Sequence, residues 1–176
     1  HEGGNTGGMN ASDISREVLT SMLASDENAV WIIQAWQGNP TTALLNGLDQ
    51  IDNGAQHALV LDLYAEKTPH NQETGSSYGD TREFDDTPWL YCMLNNFGGR
   101  LGLHGHLDNL ARNIPEAFNN GKHIAGIGIT PEASVNNPVL YDFLFETIWQ
   151  EDASQPMTEI DLDTWLDAYA QRRYGS

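Results

Sequence analysis

Four runs of the chain are almost continuously apolar: Ala29 to Trp36, His57 to Glu66, Pro88 to Phe97 and His123 to Glu132. Apolar residues that do not alternate with polar ones predict strands buried on both faces, as in a parallel sheet. Each run closes on polar or aromatic residues: Gln34 and Trp36, Asp62 and Glu66, Asn95 and Asn96, and Glu132. In a parallel sheet the carboxyl ends share one rim, so these side chains are expected to converge. Helical spacing fills most of the gaps. Ser12 or Asp13 is placed to cap a helix whose apolar face is Ile14, Val18, Leu19, Met22 and Leu23. Shorter helices are predicted over Thr41 to Leu48 and Leu107 to Phe118, the second interrupted by Pro115. Val139 to Trp149 is strongly apolar at helical spacing. The stretch from Lys67 to Thr87 has no helical period; a loop of that length is a candidate active-site wall.

Beyond Glu151 the pattern changes. Asp152 to Thr158 reads as a linker, and Asp161 then caps a helix carrying Leu162, Trp165, Leu166 and Tyr169. Arg172 and Arg173 close that helix and Gly175 follows it. Its apolar stripe needs a cover, which predicts the opening of a further helical domain. The α/β rhythm before it amounts to about half of an eight-stranded barrel, a fold of ~250 residues. The predicted fold class is therefore a partial (β/α)8 TIM barrel, its C-terminal half over residues 1–152. Residues 153–176 are the linker and first helix of an all-helical domain. The missing strands are expected before His1, on the same parent polypeptide.

The charge narrows the partners. With 25 acidic against 8 basic residues the chain carries a net charge of −17, which argues against nucleic acid as a ligand. No window is apolar enough to span a membrane. Cys92, the one cysteine, lies in an apolar run and is expected to be a buried, inert thiol.

Two glutamates stand out as candidate chemistry. Glu132 ends the run Gly126-Ile127-Gly128-Ile129-Thr130-Pro131 as a half-buried acid with few cations to pair with. Glu2 sits on a glycine-rich turn, His1-Glu2-Gly3-Gly4-Asn5-Thr6, where the backbone can approach a ligand closely. Asp62 and Glu66 compete for catalytic roles, although a structural hydrogen bond suits Asp62 better. Trp36 offers a broad ring for stacking on a sugar. Asn95-Asn96-Phe97-Gly98-Gly99 offers amide groups on a turn, suited to hydroxyl or acetamido recognition and equally to an ordinary turn. His104-Gly105-His106 with Asp108 lacks the three or four ligands of a zinc site, so no metal is expected.

These stretches, taken in order, resemble the glycoside hydrolase family 89 α-N-acetylglucosaminidases. The resemblance is carried by HEGGNT (1–6), AVWIIQAW (29–36), VLDLYAE (60–66), CMLNNFGG (92–99), GIGITPE (126–132) and RRYG (172–175). It implies that Glu2 matches the general acid/base and Glu132 the nucleophile. Trp36, Leu63, Asn96 and Phe97 match positions lining the sugar pocket, with His1 beside the acid as a further substrate-binding candidate. It also implies a retaining hydrolase that needs no cofactor and acts on glycans ending in α-linked N-acetylglucosamine, mucin-type or glycosaminoglycan. The chain's acidity favours the neutral mucin-type glycans. The expected location is extracellular or cell-surface in a microbe and lysosomal in an animal. Two alternatives stay open: a barrel glycosidase of other sugar specificity that uses Asp62 or Glu66, and a non-catalytic carbohydrate binder.

Overall fold

A computed structural model of the chain describes residues 8–36, 39–67, 69, 83–95, 105–133, 136–149 and 154–175. Its centre is a parallel sheet of β1 (Trp31–Ala35), β2 (Ala58–Asp62), β3 (Trp89–Met93) and β4 (Ile124–Ile129), lying side by side in chain order. The register runs Trp31 against Ala58, Val60 against Trp89 and Leu90 against Gly126, with an irregularity between Trp89 and Leu90. Because all four strands point the same way, residues 63–66, 94–95 and 130–132 share the carboxyl rim. Strand positions follow the apolar runs, each strand occupying the middle of its run.

The helices are α1 (Ala11–Ser25), α2 (Thr42–Leu48), α3 (Leu107–Asn120), α4 (Pro138–Ile148) and α5 (Leu162–Tyr174). The cap of α1 is Asn10, not Ser12 or Asp13: the Asn10 side chain accepts from the Asp13 amide at 2.8 Å. The Ser12 hydroxyl instead accepts from Gln50. Helices α1 and α2 touch closely at Gly47, where a Cβ would lie 2.0 Å from Ser15 Oγ; only glycine leaves that room. The Ser15 hydroxyl then donates to the Leu44 carbonyl at 2.7 Å.

Three further expectations are corrected. Pro115 lies within α3 rather than interrupting it. The buried face of Leu110, Ala111, Ile114 and Ala117 holds the helix together despite the missing amide. Only β2 and β3 are thoroughly buried. On the outer strands Ile32 is 58% and Ile129 43% exposed, because each flanks a sheet edge within the described residues. Finally, part of the α5 stripe is covered within this chain: Trp165 and Tyr169 are buried, whereas Leu166 is 36% exposed. Trp165 packs edge-on against Phe143 of α4 at 4.8 Å and stacks on Tyr169 at 5.0 Å. The Trp165 indole donates to Glu146 Oε2 at 2.7 Å, and Arg172 donates to Glu146 Oε1 at 2.9 Å. The segment leading into α5 is tied to α3 through paired bonds between Asn119 and the Met157 main chain.

Candidate active site

The carboxyl rim is stitched together across the three later strands. The Thr130 amide donates to the Met93 carbonyl at 2.9 Å, and its hydroxyl donates to the Leu63 carbonyl at 2.9 Å. The Ala65 amide donates to the Cys92 carbonyl at 3.1 Å. These bonds carry the chain past the ends of β2 and β4 and aim it across the rim. A cavity of about 380 Å³ opens there, lined by Gln34, Trp36, Leu61, Leu63, Leu94, Thr130, Pro131 and Glu132. Its wall mixes an indole, aliphatic side chains and one carboxylate, the composition of a small-ligand site.

The structure thus brings Trp36, Leu63 and Glu132 into one cavity although they are widely spaced in sequence. Trp36 is half-buried, its ring tilted against Tyr64 at 6.4 Å. Glu132 is exposed rather than half-buried, and it is not without a partner. His1, Glu2, Asn96 and Phe97 lie outside the described residues, as does His104 and most of the Lys67 to Thr87 loop. Among the described residues no group of three or more His, Cys, Asp or Glu could hold a metal ion.

Leu94 and Thr130 line the cavity without having been singled out by chemistry. Their signal is positional, since each closely follows the last residue of a strand.

Asp62 and Glu66 are both buried beneath the rim. The Glu66 Oε1 accepts from the amides of Leu94 at 3.0 Å and Asn95 at 2.7 Å. Burial pushes the Glu66 carboxyl up to about 7, against the pull of those amides and of Lys67. Burial also pushes the Cys92 thiol up to about 12, helped by the charges of Asp62 and Glu66, which makes it the inert thiol expected. The Tyr141 hydroxyl of α4 donates to Asn136 at 2.7 Å; burial raises its pKa, the Asn95 side chain opposes that, and Glu66 adds to it.

Comparison with known proteins agrees with this architecture. The family model described as "Alpha-N-acetylglucosaminidase (NAGLU) tim-barrel domain" matches residues 1–151. Human alpha-N-acetylglucosaminidase is 36% identical over 167 residues, covering 90% of this chain and 20% of that protein. Two structures of a family 89 glycoside hydrolase from Clostridium perfringens superimpose with a TM-score of 0.83 at 40% identity, covering 100% of this chain and 18% of theirs. One holds 2-acetamido-1,2-dideoxynojirmycin. The other, with two glutamates replaced by glutamine, holds its substrate GlcNAc-alpha-1,4-galactose. The chain spans about a fifth of the length of these relatives. It belongs to the alpha-N-acetylglucosaminidase family, glycoside hydrolase family 89, as part of its TIM-barrel domain.

Proposed function

We propose that this chain is the later half of the catalytic barrel of a retaining α-N-acetylglucosaminidase. In this reading residues 1–152 belong to the barrel, and residues 153–176 lead into a helical domain that starts flush against α4. The observation that carries the reading is the cavity at the carboxyl ends of the strands, where Trp36, Leu63 and Glu132 meet in a member of this family. Barrel enzymes of this architecture work at that face. Two relatives hold N-acetylglucosamine-related ligands, which supports a terminal α-linked N-acetylglucosaminyl group as substrate. His1, Trp36, Leu63, Asn96 and Phe97 are the residues assigned to hold that sugar.

Stereochemistry dictates the form of the reaction. In an α-glycoside of N-acetylglucosamine the acetamido group is cis to the leaving group, so its oxygen cannot attack C1 from behind. Retention therefore needs a nucleophile from the protein. Glu132 attacks C1 while Glu2 gives its proton to the departing oxygen; water then attacks C1 of the glycosyl-enzyme, giving its proton to Glu2 and releasing the Glu132 carboxylate. Glu132 is open to solvent at the cavity wall, where an incoming sugar can reach it. Double displacement calls for carboxyl groups roughly 5–5.5 Å apart. The fitting location is extracellular or cell-surface in a microbe and lysosomal in an animal. No helix among the described residues is long and apolar enough to cross a membrane.

The test uses the full-length enzyme and an aryl α-N-acetylglucosaminide, with the anomer first released read by NMR. The α-anomer is expected, and Glu132→Ala should lower turnover by at least about a thousand-fold. Release of the β-anomer, or undiminished turnover by Glu132→Ala, would refute the assignment.

A further inference from the structure

The two-glutamate reaction leaves the carboxyl of Glu66 unused, and its surroundings are unusual. Glu66 lies just past β2 and is 1% exposed. Both of its bonds to the residues just after β3 use the same oxygen, Oε1, which takes the amides of Leu94 and Asn95 together. Its other oxygen, Oε2, has no hydrogen-bond partner among the described residues, and neither does Oδ1 of Asn95, itself 3% exposed. Burying such atoms unpaired costs stability, so packing alone does not account for an acid here.

What the acid grips lies beside the cavity. Leu94 is part of the wall, together with Trp36, Leu63 and Glu132. Asn95 follows at φ 57°, a left-handed conformation that its backbone holds while its amide is fastened to Glu66. On the far side, the Asn95 side chain reaches the Tyr141 hydroxyl, which donates to Asn136 ahead of α4. Among the described residues, the charged and titratable groups around Glu66 are Asp62 at the end of β2, Lys67 beside it in sequence, Cys92 of β3 and Tyr141 of α4.

We propose that Glu66 is a positioning residue of the sugar site: by holding the Leu94 and Asn95 amides on one buried oxygen, it sets the cavity wall against which an N-acetylglucosaminyl group binds. This rests on the sugar-site reading above. Glu66 acts through Leu94 and Asn95 and touches no substrate. Glutamine at this position keeps an acceptor for both amides, aspartate shortens the reach, and alanine removes the acceptor altogether.

The full-length enzyme, its Glu66→Gln, Glu66→Asp and Glu66→Ala variants are compared by calorimetric binding of 2-acetamido-1,2-dideoxynojirmycin, and by KM and kcat per folded molecule. Glu66→Ala is expected to weaken inhibitor binding and raise KM by about tenfold or more. Glu66→Gln should bind nearly as the parent does, and Glu66→Asp should fall between. A residue that served stability alone would lower the Tm of these variants yet leave Kd and KM unchanged, and that result overturns the proposal. Should Glu66→Ala fail to fold, Glu66→Asp decides: an unchanged Kd and KM there overturns it equally. A parent enzyme that does not bind the inhibitor sinks the sugar-site reading itself, and this inference with it.

Discussion

The two ends of the parallel sheet treat polar groups in opposite ways. At the amino ends the outermost of them are paired and open to water. His123, just ahead of β4, meets Asp86, ahead of β3, at 3.1 Å with both side chains exposed. His57 Nδ1, ahead of β2, lies 3.1 Å from the Ala29 carbonyl oxygen. Below them the Trp89 indole donates to the Lys122 carbonyl at 2.7 Å, beside the Phe84 ring at 5.7 Å. At the carboxyl ends Asp62, Glu66 and Asn95 are buried, Glu66 Oε2 and Asn95 Oδ1 have no hydrogen-bond partner among the described residues, and a cavity stands next to them. One end closes the fold; the other spends stability to hold a shaped opening. Barrels divide stability from chemistry along this same axis.

That division can be broken from either side. The largest effect is expected at the amino end. Trp89 is fully buried, and Trp89→Ala should cost about 3–5 kcal/mol of unfolding free energy in a denaturant titration. Molecules that still fold should keep the parent's KM; a raised KM without lost stability would erase the contrast. At the carboxyl end, Glu66 titrates at about 7 when folded against an ordinary 4.5. Between those values the folded protein holds a proton that the unfolded chain has released, so the contribution is fully present below 4.5, falls as pH rises from there, and is gone once pH passes about 7. The loss amounts to roughly 3 kcal/mol. Compared at pH 5 and pH 8, the parent should lose stability relative to Glu66→Gln; parallel curves would mean that burial does not govern this acid. The smallest effect belongs to the exposed pair. Asp86→Asn keeps a side chain tolerant of the φ of 66° there, and should change stability by under about 1 kcal/mol, less in high salt. Removing that charge also relieves Asp49, whose carboxyl is raised by burial and then by Asp85 and Asp86.

Most of the strand architecture was legible because strands buried in a parallel sheet write continuous apolar runs. The rim was legible too: Trp36 and Glu132, chosen because they follow such runs, line one cavity. What escaped depended on contacts between distant segments. Nothing local marks Glu66 as an acceptor for amides 28 and 29 residues away. Pro115 predicts a break by local rules, and packing of the α3 face overrides them. Ser12 looks like a cap until Gln50 arrives from the end of α2 to claim its hydroxyl. The stripe on α5 read as an unmet need because its partners, Phe143 and Glu146, lie across the linker on α4.

Cys92 turns this arrangement into a readout. The chain's one thiol sits in β3 directly under the rim, sealed from solvent and held protonated, with no space to spare against Gly128. A thiol-directed reagent can reach it only when the sheet itself parts. Alkylation of this sulfur would therefore clock how often the middle of the sheet opens, without any label having to be engineered in.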